Sequence, residues 1–197
     1  LRGDQYAIAL ALVVEGQVQV AALACPNLPL TPGADAPRGV VFTAVRGEGA
    51  LAWPLEGEGE PVRIQVSATA DPAQARFCES FESAHSAHDA AAEVARRLGI
   101  TLPPRRLDSQ AKYAMVARGE ADLYLRLPTR PGYVEKVWDH AAGVLIVTEA
   151  GGRVTDIHGR PLRFDLGPTL AKNRGVVVSN GRLHAAVLEA IAAVGVA

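Results

Sequence analysis

The chain has 197 residues, 49% of them hydrophobic, and a formal net charge of −1. That is apolar material enough for one sizeable core or two small lobes, and too little charge bias for a nucleic-acid surface. Its 17 arginines and 3 lysines are scattered among acids, no apolar run reaches the ~20 residues that cross a bilayer as a helix, and Cys25 and Cys78 lack the spacing of a disulfide framework or a Cys-x-x-Cys site, which favours a reducing, cytoplasmic compartment.

Residues 6–14 and 17–24 are β-branched-rich apolar runs joined at Glu15-Gly16, the pattern of an antiparallel hairpin, and residues 40–45 continue the meander. Residues 26–37 read as a Pro/Gly-rich loop. Arg46-Gly47-Glu48-Gly49 reads as a turn and lacks the Gly-Lys-Ser/Thr ending of a phosphate-cradling loop. A polar, Gly-rich connector at 55–61 divides the chain into an antiparallel-sheet lobe, 1–60, and a C-terminal α/β lobe, 61–197. A short strand is expected at 62–66. Asp71-Pro72 starts a helical turn, a strand follows at 76–82, and an Ala-rich helix runs from Ser83 or Ser86 to Leu98, stopping at Gly99.

Asp108 or Ser109 caps a helix that ends at Gly119, and residues 121–127 form the next strand. Residues 137–152, Val-Trp-Asp-His-Ala-Ala-Gly-Val-Leu-Ile-Val-Thr-Glu-Ala-Gly-Gly, read as a buried helix with Asp139 in its first turn and the glycine pair as its left-handed stop. Strands at 153–155 and 176–179 and a helix over 181–194, apolar at Leu183, Val187, Leu188 and Ile191, complete the chain. Strands and helices in this order give an α+β fold of stacked layers.

Several side chains carry chemistry. A carboxylate at a helix N-terminus either caps the helix or holds a cation beside bound phosphate, so Asp139 is a candidate metal ligand, with His140 beside it at the surface if it is only a cap. His85 and His88 lie on one face of a helix start, but no third ligand follows at zinc spacing. Ser109 and Lys112 match Ser-x-x-Lys without the companion motifs of penicillin-recognising enzymes, and sit where a helix's exposed first turn offers a hydroxyl and an ammonium to a phosphate. As the alternative, they are a cap and a solvated lysine. Arg126, among apolar strand neighbours, needs an anion. Glu149, at the far end of the central helix, reads as structural.

Four spaced segments resemble a known family. Trp138-Asp139-His140-Ala141-Ala142-Gly143 through Glu149-Ala150-Gly151-Gly152 is similar to the C-terminal signature of the lithium-sensitive, magnesium-dependent phosphatases typified by inositol monophosphatase. Gly3-Asp4-Gln5-Tyr6-Ala7 with Cys25-Pro26-Asn27-Leu28-Pro29, His85-Ser86-Ala87-His88-Asp89, and Leu107-Asp108-Ser109-Gln110-Ala111-Lys112-Tyr113 with Tyr124-Leu125-Arg126-Leu127-Pro128 bring the resemblance closer to the 3′(2′),5′-bisphosphate nucleotidases. The resemblance implies the layered α/β sugar-phosphatase fold and removal of the 3′-phosphate of adenosine 3′,5′-bisphosphate to leave AMP. It implies Mg²⁺ with Asp139 as one ligand, and a nucleotide seated by His85, Ser109, Lys112 and Arg126. The family's Asp-Pro-Ile-Asp-Gly-Thr loop would precede Leu1, which implies a chain lacking its N-terminal third, inactive by itself, whose lost segment could have carried an organellar targeting peptide. An inositol phosphate substrate and a catalytically inert nucleotide-binding fragment are the alternative readings.

Overall fold

The structure, a computed structural model, describes residues 5–32, 36–57, 59–81, 87–130 and 132–196. A first sheet is an antiparallel meander in the order β1 (Ile8–Val14), β2 (Gln17–Pro29), β3 (Arg38–Val45), β4 (Gly49–Pro54), β5 (Val62–Ile64). The β1–β2 hairpin turns on Glu15 and Gly16, with φ of 50° and 75°, the left-handed pair that matches strand twist. Leu23, Val40, Phe42, Ala50 and Ala52 alternate onto one face and are buried. The other face carries Ile8, Leu10, Leu12, Val20, Val45 and Trp53, all exposed, with Leu10 at 71%.

The second sheet has the order β7 (Arg105–Arg106), β6 (Phe77–Glu79), β8 (Leu123–Arg126), β10 (Val176–Ser179), β9 (Arg153–Thr155), parallel at β6 and antiparallel at β10. Its inner strands β6, β8 and β10 are apolar on both sides, so both faces of the sheet's middle are covered. Cys78, Tyr124, Val176 and Val178 join the first sheet's core through α2 (Ala111–Ala117) and α3 (Ala141–Glu149). Phe77, Leu123, Leu125, Leu127 and Val177 form a second core with Val94 of α1 (His88–Arg97) and Val187 and Ile191 of α4 (His184–Val194). The layers therefore run sheet, helices, sheet, helices. Among the described residues no helix is long and apolar enough to cross a membrane.

Several expectations hold: the hairpin, Asp71 accepting from the Ala73 N–H at 3.0 Å to start the 72–74 turn, the left-handed Gly99, and the buried 176–179 strand. Glu149 is structural: its two carboxylate oxygens each accept at 2.9 Å, from the N–H groups of Gly47 and Gly49, and tie the end of α3 to the β3–β4 turn.

Others need correction. The 26–37 loop is shorter, because β2 runs on to Pro29 through an irregular pairing with β3. Strand β4 was not anticipated, since Gly-Ala-Leu-Ala-Trp-Pro is short and flanked by turn residues. The first sheet continues to Ile64, past residue 60. The last helix begins at His184 and not Gly181, whose φ of 83° places it in a turn where Asn180 Oδ1 accepts from the Leu183 N–H at 3.2 Å. The central helix is broken: a 3₁₀ turn over Val137–Asp139 precedes α3, and His140, at φ −133°, forms the joint.

Candidate active site

Three elements meet at one end of the second sheet: the C-terminal end of β8, the turn entering α2, and the 3₁₀ turn before α3. Strand alternation sends Leu123, Leu125 and Leu127 into the outer core, so Tyr124 and Arg126 point the other way, toward α2 and α3. Arg126 Nε lies 2.9 Å from Glu135 Oε2, its Nη2 is 3.7 Å from Asp139 Oδ2, and Nη2 donates to the Tyr133 hydroxyl at 3.4 Å. The anion that Arg126 demanded is thus a protein carboxylate. Burial pushes the Glu135 carboxyl up, but His140 and Arg126 outweigh it and hold it below the usual carboxylate range.

The 133–139 segment is pinned from outside. The Leu170 N–H donates to Glu135 O at 2.9 Å and the Val137 N–H to Pro168 O at 3.2 Å. From the other side Gln110 Nε2 donates to Trp138 O at 2.8 Å, joining the α2 entry to this turn. These bonds present Asp139 half-exposed, with Trp138 at 59% exposure beside it.

His140 is not a surface residue. Its exposure is 0%, with Nδ1 2.7 Å from the Tyr113 hydroxyl and Nε2 3.1 Å from Glu135 Oε2. Gly143 makes this possible, because a Cβ there would stand 2.2 Å from Tyr113 Cγ. The glycine of Ala-Ala-Gly is the gap that lets Tyr113 pass over α3 to reach the histidine.

Lys112 also departs from expectation: instead of an exposed first turn it occupies a site 3% exposed, because α2 lies between the two sheets. Its ammonium donates to Leu107 O at 3.2 Å and Ser109 O at 2.7 Å and lies 5.4 Å from the Tyr124 ring centre. Burial is the chief cause that draws its pKa down, to about 8. Ser109, at φ 66°, accepts from the Ala111 N–H at 3.2 Å through its hydroxyl, but the residue at the helix cap is Gln110, which makes no side-chain cap bond. The lysine holds the strained Ser109 turn closed from beneath.

Arg126 and Asp139 are therefore brought together, Ser109 and Lys112 share the adjoining turn, and His85 lies outside the described residues. In the sequence Tyr133 and Glu135 resemble family residues without an assignable chemistry, and neither the role of Tyr113 nor the burial of His140 is legible there. The signal that points toward Glu135 is Arg126 itself: an arginine on an apolar strand requires an anion, and a buried carboxylate is one way to supply it.

Glu135, Asp139 and His140 each offer a ligand atom, all within 4.8 Å of one another. Both His140 nitrogens are engaged, and Glu135 Oε2 already meets both Arg126 and His140. Of the three, Asp139 alone is half-exposed, its carboxylate 3.7 Å from Arg126 Nη2.

A profile of the inositol monophosphatase family matches residues 1–195. A 3′(2′),5′-bisphosphate nucleotidase of Emericella nidulans is 48% identical over 205 residues, which cover 97% of this chain and 58% of that protein. One from Schizosaccharomyces pombe is 46% identical over 197 residues, covering 98% of this chain and 56% of that one. The solved IMPase of Thermotoga maritima matches with a TM-score of 0.68 and 28% identity, over 96% of this chain and 61% of its own. The chain spans little more than half the length of the nucleotidases it resembles. Among the described residues, two layered sheets and four α-helices make the α+β arrangement of those neighbours, and the chain belongs to the inositol monophosphatase family.

Proposed function

We propose that this chain is the substrate-binding portion of a Mg²⁺-dependent phosphatase that removes the 3′-phosphate of adenosine 3′,5′-bisphosphate. The observation that carries the reading is Arg126 and Asp139 side by side, Nη2 to Oδ2 3.7 Å. A fixed guanidinium binds a phosphate oxygen through charge-assisted hydrogen bonds, and an adjacent half-exposed carboxylate would supply an oxygen ligand to a hard cation. Mg²⁺, when bound, activates water and neutralises the leaving oxygen. Ser109 and His85 complete the nucleotide's seat in this reading, and Lys112 acts through the shape of the 107–112 turn. The names of the relatives support the nucleotide as substrate.

Asp139 by itself would leave a Mg²⁺ ion mostly to water, so in this reading the 197-residue chain binds nucleotide without turning it over. Calorimetric titration with adenosine 3′,5′-bisphosphate and with inositol 1-phosphate, each in Mg²⁺, tests the substrate class. The nucleotide is expected to bind more tightly. Preference for the inositol phosphate, the substrate class suggested by the family's name, would reverse the assignment. Phosphate release by this chain at an ordinary enzymatic rate would contradict binding without turnover.

A further inference from the structure

Three buried polar groups stand behind Arg126 in a line that no substrate can reach: Tyr113, His140 and Glu135 are 1%, 0% and 4% exposed. Each link is a hydrogen bond or ion pair, from the Tyr113 hydroxyl to His140 Nδ1 at 2.7 Å, from Nε2 to Glu135 Oε2 at 3.1 Å, and from that same oxygen to Arg126 Nε at 2.9 Å. The direction of the bonds follows from chemistry. Buried Tyr113 keeps its proton, so its hydroxyl donates to Nδ1 and the ring proton sits on Nε2, aimed at Glu135. A carboxylate oxygen that accepts from Nε2–H and meets Arg126 Nε has one orientation open to it.

A structural role alone explains burial, but not this placement. The far end of the line is the guanidinium that faces Asp139, and the near end is fixed by the Gly143 gap. We propose that Tyr113, His140 and Glu135 are positioning residues, a relay that sets the Arg126 fork toward the phosphate and leaves Asp139 as the one carboxylate of the group free for a cation. The proposal rests on the reading of Arg126 as a phosphate contact. It also assigns Glu135 and His140, whose ligand atoms lie close enough to Asp139 for a metal, to orientation and not to ligation.

The test is a double-mutant cycle on nucleotide affinity together with a spectroscopic readout, both on the 197-residue chain. Tyr113→Phe keeps the ring on Gly143 and removes only the donor, two links away from Arg126. In the parental background it is expected to weaken adenosine 3′,5′-bisphosphate by about tenfold, one hydrogen bond's worth, and in the Arg126→Ala background to change nothing. Equal effects in both backgrounds would overturn the relay. ¹⁵N NMR with labelled histidine and arginine reads the line directly: His140 should be the Nε2–H tautomer with an Arg126 Nε signal shifted by its ion pair to Glu135, and Tyr113→Phe and Glu135→Gln should each abolish that shifted signal. Persistence of that signal in a folded Tyr113→Phe chain overturns the proposal as well. A parental chain that shows both signals yet binds no nucleotide refutes the substrate reading while supporting the relay.

Discussion

Gly143 and Tyr113 show how one missing side chain organises a site. A Cβ at position 143 would lie 2.2, 2.5 and 2.6 Å from three atoms of the Tyr113 ring, and a ring held between two sheets cannot retreat. Gly143→Ala is therefore expected to destabilise the protein by about 1 to 3 kcal/mol through overpacking, although alanine is the better helix former; urea unfolding of the two proteins checks it, and unchanged stability would mean that Tyr113 has room to move. At this scale the sequence was legible where a residue type had one remedy. Arg126 needed an anion and is met by Glu135, and Glu149, read as structural, holds two glycine N–H groups. Lys112 and His140 were not legible, because nothing in an amphipathic-looking turn reveals that a second sheet will close over it.

Between elements the same rule of satisfied polar atoms holds the far end of the second sheet. Thr155 gives its proton to Asp156 O at 2.8 Å, so its Oγ1 accepts from His184 Nε2 at 2.8 Å, and the Ser179 hydroxyl donates to Nδ1 at 2.8 Å. The histidine joins β9, β10 and α4 as a neutral ring, and burial, with Arg153 nearby, pulls its pKa from 6.5 to about 4. A folded-state pKa below the unfolded one means that the unfolded chain takes up the proton first. Stability present above pH 6.5 should thus fall as pH drops toward 4, by up to about 3 kcal/mol at 1.4 kcal/mol per unit. Urea unfolding at pH 7 and pH 4.5 measures the loss, which His184→Gln should reduce; an equal loss in the variant would place the acid sensitivity elsewhere.

Glu149 makes the equivalent join at the other end of α3. Glu149→Ala removes two charge-assisted bonds and should cost about 1 to 3 kcal/mol, with hydrogen exchange at Gly47 and Gly49 rising first. Strands with strong periodicity, such as Val176–Ser179, could be read from sequence to the residue. The broken start of α3 could not, because its cause is the inward pull on His140 by groups 5 residues upstream and 27 residues back.

For the molecule as a whole, the layers account for three of the four sheet faces. The fourth, with Ile8, Leu10 and Leu12 on the edge strand β1 and Val20, Val45 and Trp53 beside them, faces solvent. A contiguous apolar face of that kind, with an edge strand beside it, drives association. Light scattering of the 197-residue chain should give a mass above 20.7 kDa, and Leu10→Lys, which puts a charge at the most exposed position, should lower it; a parental monomer would show the face to be tolerated by water.

The site at the junction of the layers makes one demand that no structural role shares: its carboxylate must matter only when the cation is present. The decisive measurement is the affinity for adenosine 3′,5′-bisphosphate with and without Mg²⁺, in the parental chain, Asp139→Asn and Arg126→Ala. Mg²⁺ should tighten binding to the parental chain and lose that effect in Asp139→Asn, while Arg126→Ala should weaken binding by about ten- to hundredfold whether or not Mg²⁺ is present. Affinities that ignore Mg²⁺ in the parental chain, or an Asp139→Asn chain that responds to it as the parent does, would contradict a phosphate site built from Arg126 and Asp139.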